Sequence, residues 1–148
     1  MADYTVRGIQ RGDREQWAGL WRGYLDFYSA NVTPEATEAT WSRLFDPLES
    51  VHGVVAIRGE TLIGLSHYLY QRSTWLVEAR CYLQDLFVAS SERGAGVGRA
   101  LIGAVASAAK EAGAPQVFWN THETNATARR LYDAVAAKTG FIQYRIQL

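Results

Sequence analysis

The sequence has little cysteine, no excess of charge of either sign and no long hydrophobic run. Cys81 is the only cysteine, which excludes a disulfide within the chain, and its apolar neighbours predict a small buried side chain. Fifteen basic and fifteen acidic side chains cancel, so nothing favours a nucleic-acid or membrane partner that relies on a basic surface. No stretch approaches the roughly 18 apolar residues of a transmembrane span, and residues 1–4 lack the features of a signal peptide. We therefore expect a cytoplasmic protein without a nucleic-acid or membrane partner.

The chain does contain enough apolar residues for one folded domain. Its 148 residues are 48% hydrophobic and show no repeat or linker, which predicts a single domain over residues 1–148. The spacing of the apolar residues predicts a mixed α/β fold, with a mostly antiparallel sheet and flanking helices. Asp13, with Gln16 three positions on, is typical of a capping pair at a helix start. The predicted elements are a strand 4–9, helices that follow residues 13 and 33, strands 51–57, 62–70 and 82–88, a helix 99–112, a strand 116–121, a helix 125–138 and a strand 141–148.

The first predicted helix carries one wide apolar stripe. Six large side chains recur at intervals of three and four residues, which places them on one face of the helix. The stripe predicts core packing, and in a sharper interpretation some of its aromatic residues line a ligand pocket. The six residues are Trp17, Leu20, Trp21, Tyr24, Leu25 and Tyr28.

A glycine-rich turn joins the strand 82–88 to the helix 99–112. The glycines therefore lie at a helix N-terminus, where backbone N–H groups lack partners and the macrodipole presents about half a positive charge. A turn without Cβ atoms at such a place can close around a pyrophosphate. Two common phosphate loops are excluded, because Arg99 and Ala100 stand where an NTPase loop needs Lys and Ser or Thr, and a dinucleotide loop would need glycine at position 99.

The turn resembles the acetyl-CoA loop of the GNAT superfamily of N-acetyltransferases, whose pattern is Gln/Arg-x-x-Gly-x-Gly/Ala. The predicted order of elements also matches the GNAT arrangement over nearly the whole chain, so the resemblance implies the acyl-CoA N-acyltransferase fold. The matching motifs are Arg93-x-x-Gly96-x-Gly98 and, at the family's spacing, Asn125-x-x-Ala128-x-x-Leu131-Tyr132 followed by Gly140-Phe141.

GNAT enzymes transfer the acetyl group of acetyl-CoA directly to an amine in a ternary complex, and the resemblance implies no metal. It places acetyl-CoA between the strand that ends at Val88 and the strand 116–121, which splay apart in the family. By this likeness the backbone of residues 86–88 holds the pantetheine arm and residues 94–99 hold the pyrophosphate. Asn125 and Tyr132 lie two turns apart on one helix face that turns to the cofactor. The implied cofactor-binding residues are Leu86, Phe87, Val88, Arg93, Gly94, Ala95, Gly96, Val97, Gly98, Arg99, Asn125 and Tyr132.

Tyr132 stands where the family has its general acid. A phenol of pKa near 10 suits protonation of a departing thiolate whose pKa is roughly 8–9. The acceptor amine must also lose a proton, which for a pKa of about 10.4 costs roughly 4.6 kcal/mol at pH 7. The strand resembles that of polyamine acetyltransferases, which carry a catalytic Glu where Gln84 stands, and Gln84 can position a water but cannot take a proton. The base stays open among Asp85, Glu123, His67 and His122.

The acceptor and the assembly are less closely defined. The chain resembles a branch of small GNAT proteins that acetylate histones, polyamines and D-amino acids, so the expected acceptor is a polyamine, an amino acid, another small amine or a protein lysine. A noncatalytic acyl-CoA-binding or regulatory domain is the alternative, which Gln84 favours and Tyr132 opposes. Only eight residues follow Gly140, where the family usually has two strands. We therefore expect the strand 141–148 to be shortened or completed by a partner chain, in a homodimer or a higher homo-oligomer.

Overall fold

One five-stranded sheet organises the protein, for which a computed structural model describes residues 3–148. The strands lie in the sheet in chain order, and all neighbours are antiparallel except the last pair, which is parallel. This confirms the expected mixed α/β fold. The elements are β1 (Thr5–Gly8), α1 (Arg14–Phe27), α2 (Pro34–Arg43), β2 (Val51–Arg58), β3 (Thr61–Gln71), β4 (Arg80–Val88), α3 (Val97–Glu111), β5 (Val117–Phe118) and α4 (Ala126–Val135).

Alternate residues of the central strands fill two cores, one on each face of the sheet. On one face the strands pack against α3, which buries Leu101 and Val105 completely. On the other face they pack against α1 and α2, where three tryptophans form the centre of the second core. Complete burial of a large apolar side chain contributes about 1.5–3 kcal/mol, so both faces stabilise the sheet strongly. The tryptophans are Trp17, Trp21 and Trp41.

The start of α1 differs from the predicted capping pair. The Asp13 carboxylate turns back toward β1, where it accepts two hydrogen bonds from Arg7, at 2.8 and 2.9 Å, and one from the Gln10 N–H at 2.8 Å. These bonds lower the pKa of Asp13, the Arg7 bond most of all. Gln16 instead bonds the β2–β3 hairpin, through the Glu60 carbonyl and the Leu62 N–H. The capping prediction was therefore wrong, because both side chains found partners in other elements.

The C-terminal third is less regular than its pattern predicts. β5 covers only two of the six residues expected between 116 and 121, and α4 ends at Val135 because Ala136 takes an extended backbone. Residues 141–148 form no strand, and their large apolar side chains are exposed. The prediction of a last strand in this chain was therefore wrong: alternation alone does not make a strand without a neighbour to pair with. Within residues 3–148, no helix is long and apolar enough to cross a membrane.

Candidate functional site

The glycine turn between β4 and α3 has the backbone that an anion site requires. Gly94 and Gly96 have φ of +84° and +83°, in the left-handed region that favours glycine. A Cβ on Gly94 would meet nothing within 4 Å, so the space beside it is open. Gly96 is the N-cap of α3, and without a side chain it leaves the first N–H groups of the helix uncovered. The turn therefore fits a pyrophosphate, as the resemblance implied.

Three residues, Arg93, Arg58 and Tyr4, hold this turn in place. The Arg93 Nε–H donates to the Val88 carbonyl at 3.1 Å, and its guanidinium lies 4.9 Å from the ring centre of Phe27. Arg58 pairs with Glu92 at 2.8 Å, just before the turn. The Tyr4 hydroxyl donates to the Ala95 carbonyl at 3.4 Å. Arg93 thus has a bracing role beside its predicted one. Tyr4 and Arg58 are distant in the chain, so no local pattern in the sequence indicated their contacts with the turn.

The other residues of the predicted loop have different surroundings. The Val97 side chain is buried in the α3 core, so only its backbone faces the turn. Gly98 lies at the contact between helices, since a Cβ there would meet Leu131 of α4 at 3.4 Å. Arg99 is exposed in the first turn of α3. Gly98 therefore allows α4 to lie beside the start of α3.

β4 and β5 separate directly after their short pairing. They are joined at Cys81↔Val117 and Tyr82↔Phe118 only, so residues 84–88 have no partner on that side. Because the Ala89 N–H donates to the Ile63 carbonyl, the alternation of an antiparallel ladder directs the Phe87 backbone to β3. The backbone groups of Leu86 and Val88 face the gap, with the Val88 carbonyl taken by Arg93. The predicted separation of the two strands is thus present. Of residues 86–88, Phe87 is the one whose backbone groups are directed to β3.

A β-bulge at Gln84 decides where the next side chains point. His67 is paired with Asp85 and Tyr68 with Leu83, so Gln84 is an extra residue in β4. Leu83 lies in the α3 core, and simple alternation would place Asp85 there too. The bulge reverses the alternation and turns Asp85 to the α1 face, beside His67. Gln84 itself is exposed.

Asp85 ends a chain of buried polar groups that begins on α1. The indole N–H of Trp17 donates to His67 Nε2 at 3.0 Å, and His67 Nδ1 lies 3.0 Å from Asp85 Oδ2. Trp17 and His67 are 1% and 2% exposed, whereas the Asp85 side chain is 13% exposed and so reaches the surface of the site. Tyr24 lies on its other side: burial, the Asp85 charge and a hydrogen bond to Asp85 together raise the pKa of Tyr24. The carboxylate therefore contacts the His67 ring and lies close to the Tyr24 hydroxyl.

Tyr28 lies close both to Asp85 and to the second predicted motif, which contains Asn125 and Tyr132. Burial and the Asp85 charge raise the pKa of Tyr28, and the Arg93 charge and the nearby Asn125 side chain oppose them. Burial, followed by the proximity of Tyr28, raises the pKa of Tyr132 to about 12. The Tyr132 ring packs edge-on against Trp119, with ring centres 5.5 Å apart. The structure therefore brings Tyr132, Asn125 and Asp85 together around one ring.

The candidates for the general base are now unequal. His67 is buried and both ring nitrogens have partners, so it has no lone pair for a substrate. His122 and Glu123 are exposed, and the His122 ring lies 6.3 Å from that of Tyr28. Asp85 is the acidic group at the centre of the cluster. Within residues 3–148, no three His, Cys, Asp or Glu side chains come together as metal ligands.

Comparison with known proteins agrees with this geometry. The sequence model of the Acetyltransferase (GNAT) family matches residues 17–136. A D-amino-acid N-acetyltransferase of Saccharomyces cerevisiae, HPA3, is 39% identical over 95% of this chain and 89% of its own length. A thialysine N-epsilon-acetyltransferase of Caenorhabditis elegans is 32% identical over 59% of this chain and 54% of its own. The chain belongs to the GNAT family and is an N-acetyltransferase that uses acetyl-CoA.

Solved structures share the fold at low sequence identity. An aminoglycoside acetyltransferase from a soil metagenome, meta-AAC0020, in complex with trehalose, superposes with a TM-score of 0.85 at 17% identity, over 99% of this chain and 97% of the other. The acetyltransferase AAC(6')-Iy, in complex with a bisubstrate analogue that contains CoA, gives 0.84 at 19% identity, over 99% and 100% of the two chains. These values show a common fold.

Proposed function

We propose that this chain acetylates the amino group of a small molecule, with free amino acids as the first class to test. The observation that carries the proposal is Asp85, a largely buried carboxylate set among tyrosines beside the splayed strands. A carboxylate in such a place attracts an ammonium group, and the surrounding rings exclude bulky charged surfaces. The yeast relative, whose name specifies D-amino acids, supports an amino-acid acceptor.

An open depression in the surface beside the cluster has room for a small acceptor. Its volume is about 250 Å³, below the roughly 300–1,000 Å³ of pockets for drug-sized ligands. Its walls come from the end of α1 and the segment before α4, so it adjoins Tyr28 of the polar cluster. They consist of Phe27, Tyr28, Ser29, His122, Thr124 and Asn125.

The glycine turn and the open edge of β4 would hold acetyl-CoA. The N–H groups at the start of α3 would bind the pyrophosphate, aided by the helix macrodipole. Leu86 and Val88 would offer backbone groups to the pantetheine arm, and Asn125 and Tyr132 would border its reactive end. When bound, acetyl-CoA supplies a thioester, whose carbonyl carbon the amine attacks and whose sulfur leaves as a thiolate.

Tyr132 is the general acid in this proposal. Its pKa of about 12 keeps the Oη proton in place at neutral pH. The same high pKa makes the phenol a weaker acid than an ordinary tyrosine. The burial that causes this shift also raises the pKa of a thiol that forms beside Tyr132. Tyr132 Oη would therefore pass its proton to the departing sulfur at little cost.

Asp85 binds the acceptor and removes its proton. A carboxylate has about four lone-pair sites, and the contact with His67 uses one of them. The remaining capacity can accept a hydrogen bond from the ammonium group and then its proton, directly or through a water placed by Gln84. Attack by the neutral amine then forms the C–N bond, the C–S bond breaks as Tyr132 protonates the sulfur, and the second proton of the nitrogen restores the Tyr132 phenol.

A panel of amines tests the proposed acceptor. Thiol release from acetyl-CoA would be measured with D- and L-amino acids, spermidine and a lysine-containing peptide. We expect the highest kcat/KM with one of the amino acids. Release with spermidine or the peptide alone would overturn the amino-acid proposal, and no release together with retained acetyl-CoA binding would favour the noncatalytic alternative.

We also propose that two copies of the chain form a dimer through residues 141–148. Their apolar side chains alternate, and Ile142, Tyr144 and Ile146 are each at least 74% exposed. β5 is an edge strand, so the same chain offers both a β-type segment and an unpaired edge. Light scattering at micromolar concentration should give twice the monomer mass, and Ile146→Glu should abolish it while Gln147→Glu, on the other side of the segment, should not. A wild-type monomer would contradict the proposal.

A single domain over residues 1–148 and a cytoplasmic location complete the proposal. The five strands between Thr5 and Phe118 form one sheet that packs on α3 and α1, which supports one folding unit. A single cooperative unfolding transition would test the first point, and fractionation of the native cells would test the second.

A further inference from the structure

The buried side chains of Trp17 and His67 take no direct part in the proposed acetyl transfer. Trp17 lies on α1 and His67 on β3, 50 residues apart, and the two side chains are among the most buried of the protein. A histidine in such a place normally packs as a satisfied core residue. Here, however, the hydrogen bond beyond His67 ends on Asp85, the carboxylate that lies in the site.

The partner of each nitrogen fixes the proton on the His67 ring. An indole N–H can only donate, so His67 Nε2 must accept and carries no proton. A neutral imidazole then has its proton on Nδ1, where it points to Asp85 Oδ2 at 3.0 Å. The Trp17 indole thus selects the one tautomer that donates to the carboxylate.

The structure assigns to Trp17 and His67 the role of positioning residues for Asp85: together they hold its carboxylate, as a hydrogen-bond acceptor, in the orientation that receives the acceptor amine. This inference rests on the proposed function of Asp85. The bulge at Gln84 turns Asp85 to the α1 face, and the His67 N–H fixes it there. Neither Trp17 nor His67 touches substrate in this arrangement.

The tautomer can be observed without any substrate. Long-range ¹H–¹⁵N spectra of the three histidines at pH 7, with the His67 signal identified by its loss in His67→Asn, should show His67 protonated on Nδ1 alone. In Trp17→Phe, which removes the indole N–H and keeps an aromatic ring, the His67 nitrogen shifts should change. A ring protonated on Nε2 or on both nitrogens, or an unchanged spectrum in a folded Trp17→Phe protein, would overturn the assignment.

Two substitutions of His67 separate positioning from packing. His67→Asn keeps an N–H donor near the place of Nδ1, whereas His67→Leu fills the space without a donor. We expect Leu to lower kcat/KM for the amine about 10- to 100-fold with KM for acetyl-CoA within twofold of wild type, and Asn to recover most of the loss. Equal losses in both variants, or an equal effect on the KM for acetyl-CoA, would show a structural role and overturn the proposal.

His52 provides the matched control. It is a half-buried histidine on β2 whose ring stacks on Tyr68, on the α3 face of the sheet. His52→Asn should leave both kinetic constants within twofold of wild type. If no amine releases thiol from the wild-type protein, the proposed function fails, whereas the spectra still decide the tautomer because they need no substrate.

Discussion

The two halves of the site are built from different materials. The cofactor turn is made of backbone, since its N–H groups and the left-handed Gly94 and Gly96 define its shape. The proposed acceptor recess consists of side chains from α1, β3, β4 and the segment before α4, namely Tyr24, Tyr28, His67, Asp85 and Asn125. A backbone site can be recognised from a short motif, whereas a side-chain site depends on how distant elements pack.

The difference also separates what mutations should do. A change in the turn should act on cofactor affinity, and a change in the recess should act on turnover or on the acceptor. Tyr132 belongs to both proposed halves of the site. It is part of the second predicted cofactor motif, and it lies close enough to Tyr28 for that residue to raise the pKa of Tyr132. Substitutions in each half test whether cofactor affinity and turnover can be changed independently.

The largest effect is expected for Tyr132→Phe. This change removes the hydroxyl and keeps the ring that packs on Trp119. General acid catalysis contributes about 10²–10⁴-fold, so kcat should fall by roughly that factor, or ~2.7–5.4 kcal/mol, with little change in the KM for acetyl-CoA. The rate should be measured where chemistry limits turnover. If the variant turns over at the wild-type rate, Tyr132 is not the general acid. If the variant loses cofactor binding but keeps its kcat, Tyr132 contributes to cofactor binding alone.

Asp85→Asn should give the next largest effect, confined to the acceptor half. The amide keeps the shape of the side chain but loses the charge that attracts an ammonium group and the lone pair that takes its proton. We expect kcat/KM for the amine to fall about 100-fold, within the range of general base catalysis. Calorimetric affinity for acetyl-CoA should stay within about twofold. An equal loss of acetyl-CoA affinity would show that the recess and the turn are not separate.

Gly96→Ala should affect the cofactor half. The backbone at this position has φ of +83°, which costs an L-residue about 1–2 kcal/mol, and relief of that strain moves the N–H groups at the start of α3. We expect acetyl-CoA to bind at least tenfold more weakly by calorimetry, or about 1.4 kcal/mol. Unchanged affinity in the folded variant would contradict the pyrophosphate site.

A glycine inside α3 is the control for this change. A Cβ on Gly103 would meet nothing within 4 Å, and this position is exposed in the middle of the helix. Gly103→Ala should therefore raise the free energy of unfolding by roughly 0.5–1 kcal/mol and leave acetyl-CoA affinity unchanged. A similar loss of affinity in both variants would indicate a general effect of α3.

The same contrast explains how far the sequence could predict the site. Residues 93–99 lie together in the chain, so their spacing alone predicted the turn that the structure contains. Residues 86–88 and 125–132 were placed at the cofactor by resemblance; the structure contains the splayed strands and a helix that begins at Ala126, but the cofactor contacts of residues 86–88 stay a prediction. The assignment of Asn125 and Tyr132 to cofactor binding stays a prediction.

The acceptor recess was predicted only in part. Asp85 and His67 were named as alternative bases, but their different roles depend on a bulge at Gln84 and on the burial of Trp17, neither of which leaves a local pattern. Of the stripe on α1, Trp17, Leu20 and Trp21 are buried in the core and Tyr28 lines the depression next to Asn125, so a role of the stripe in a ligand pocket stays a prediction. The segment 141–148 shows the opposite case, since its alternation predicted a strand that has no neighbour in this chain.

The smallest effect concerns the stability of the protein in alkali. The pKa of Tyr132 is raised from 10.0 to about 12, mainly by burial. Between pH 10 and pH 12 the folded protein therefore keeps a proton that the unfolded chain has released, so the free energy of unfolding should fall as the pH rises through this window. Below pH 10 both states hold the proton, and Tyr132 adds no pH dependence there. Denaturant unfolding from pH 8 to pH 11 would measure the slope.

Tyr132→Phe removes the ionising group, so its free energy of unfolding should fall less steeply than that of the wild type between pH 10 and pH 11. Tyr144→Phe is the matched control, because that ring is 87% exposed and loses the same hydroxyl outside the site. If the Tyr132→Phe and wild-type slopes coincide, the Tyr132 hydroxyl is well hydrated in the folded protein. A hydrated phenol would keep a pKa near 10, which still suits a thiolate of pKa roughly 8–9, so this outcome would contradict the burial of the hydroxyl and leave the acid role to the kinetic test of Tyr132→Phe.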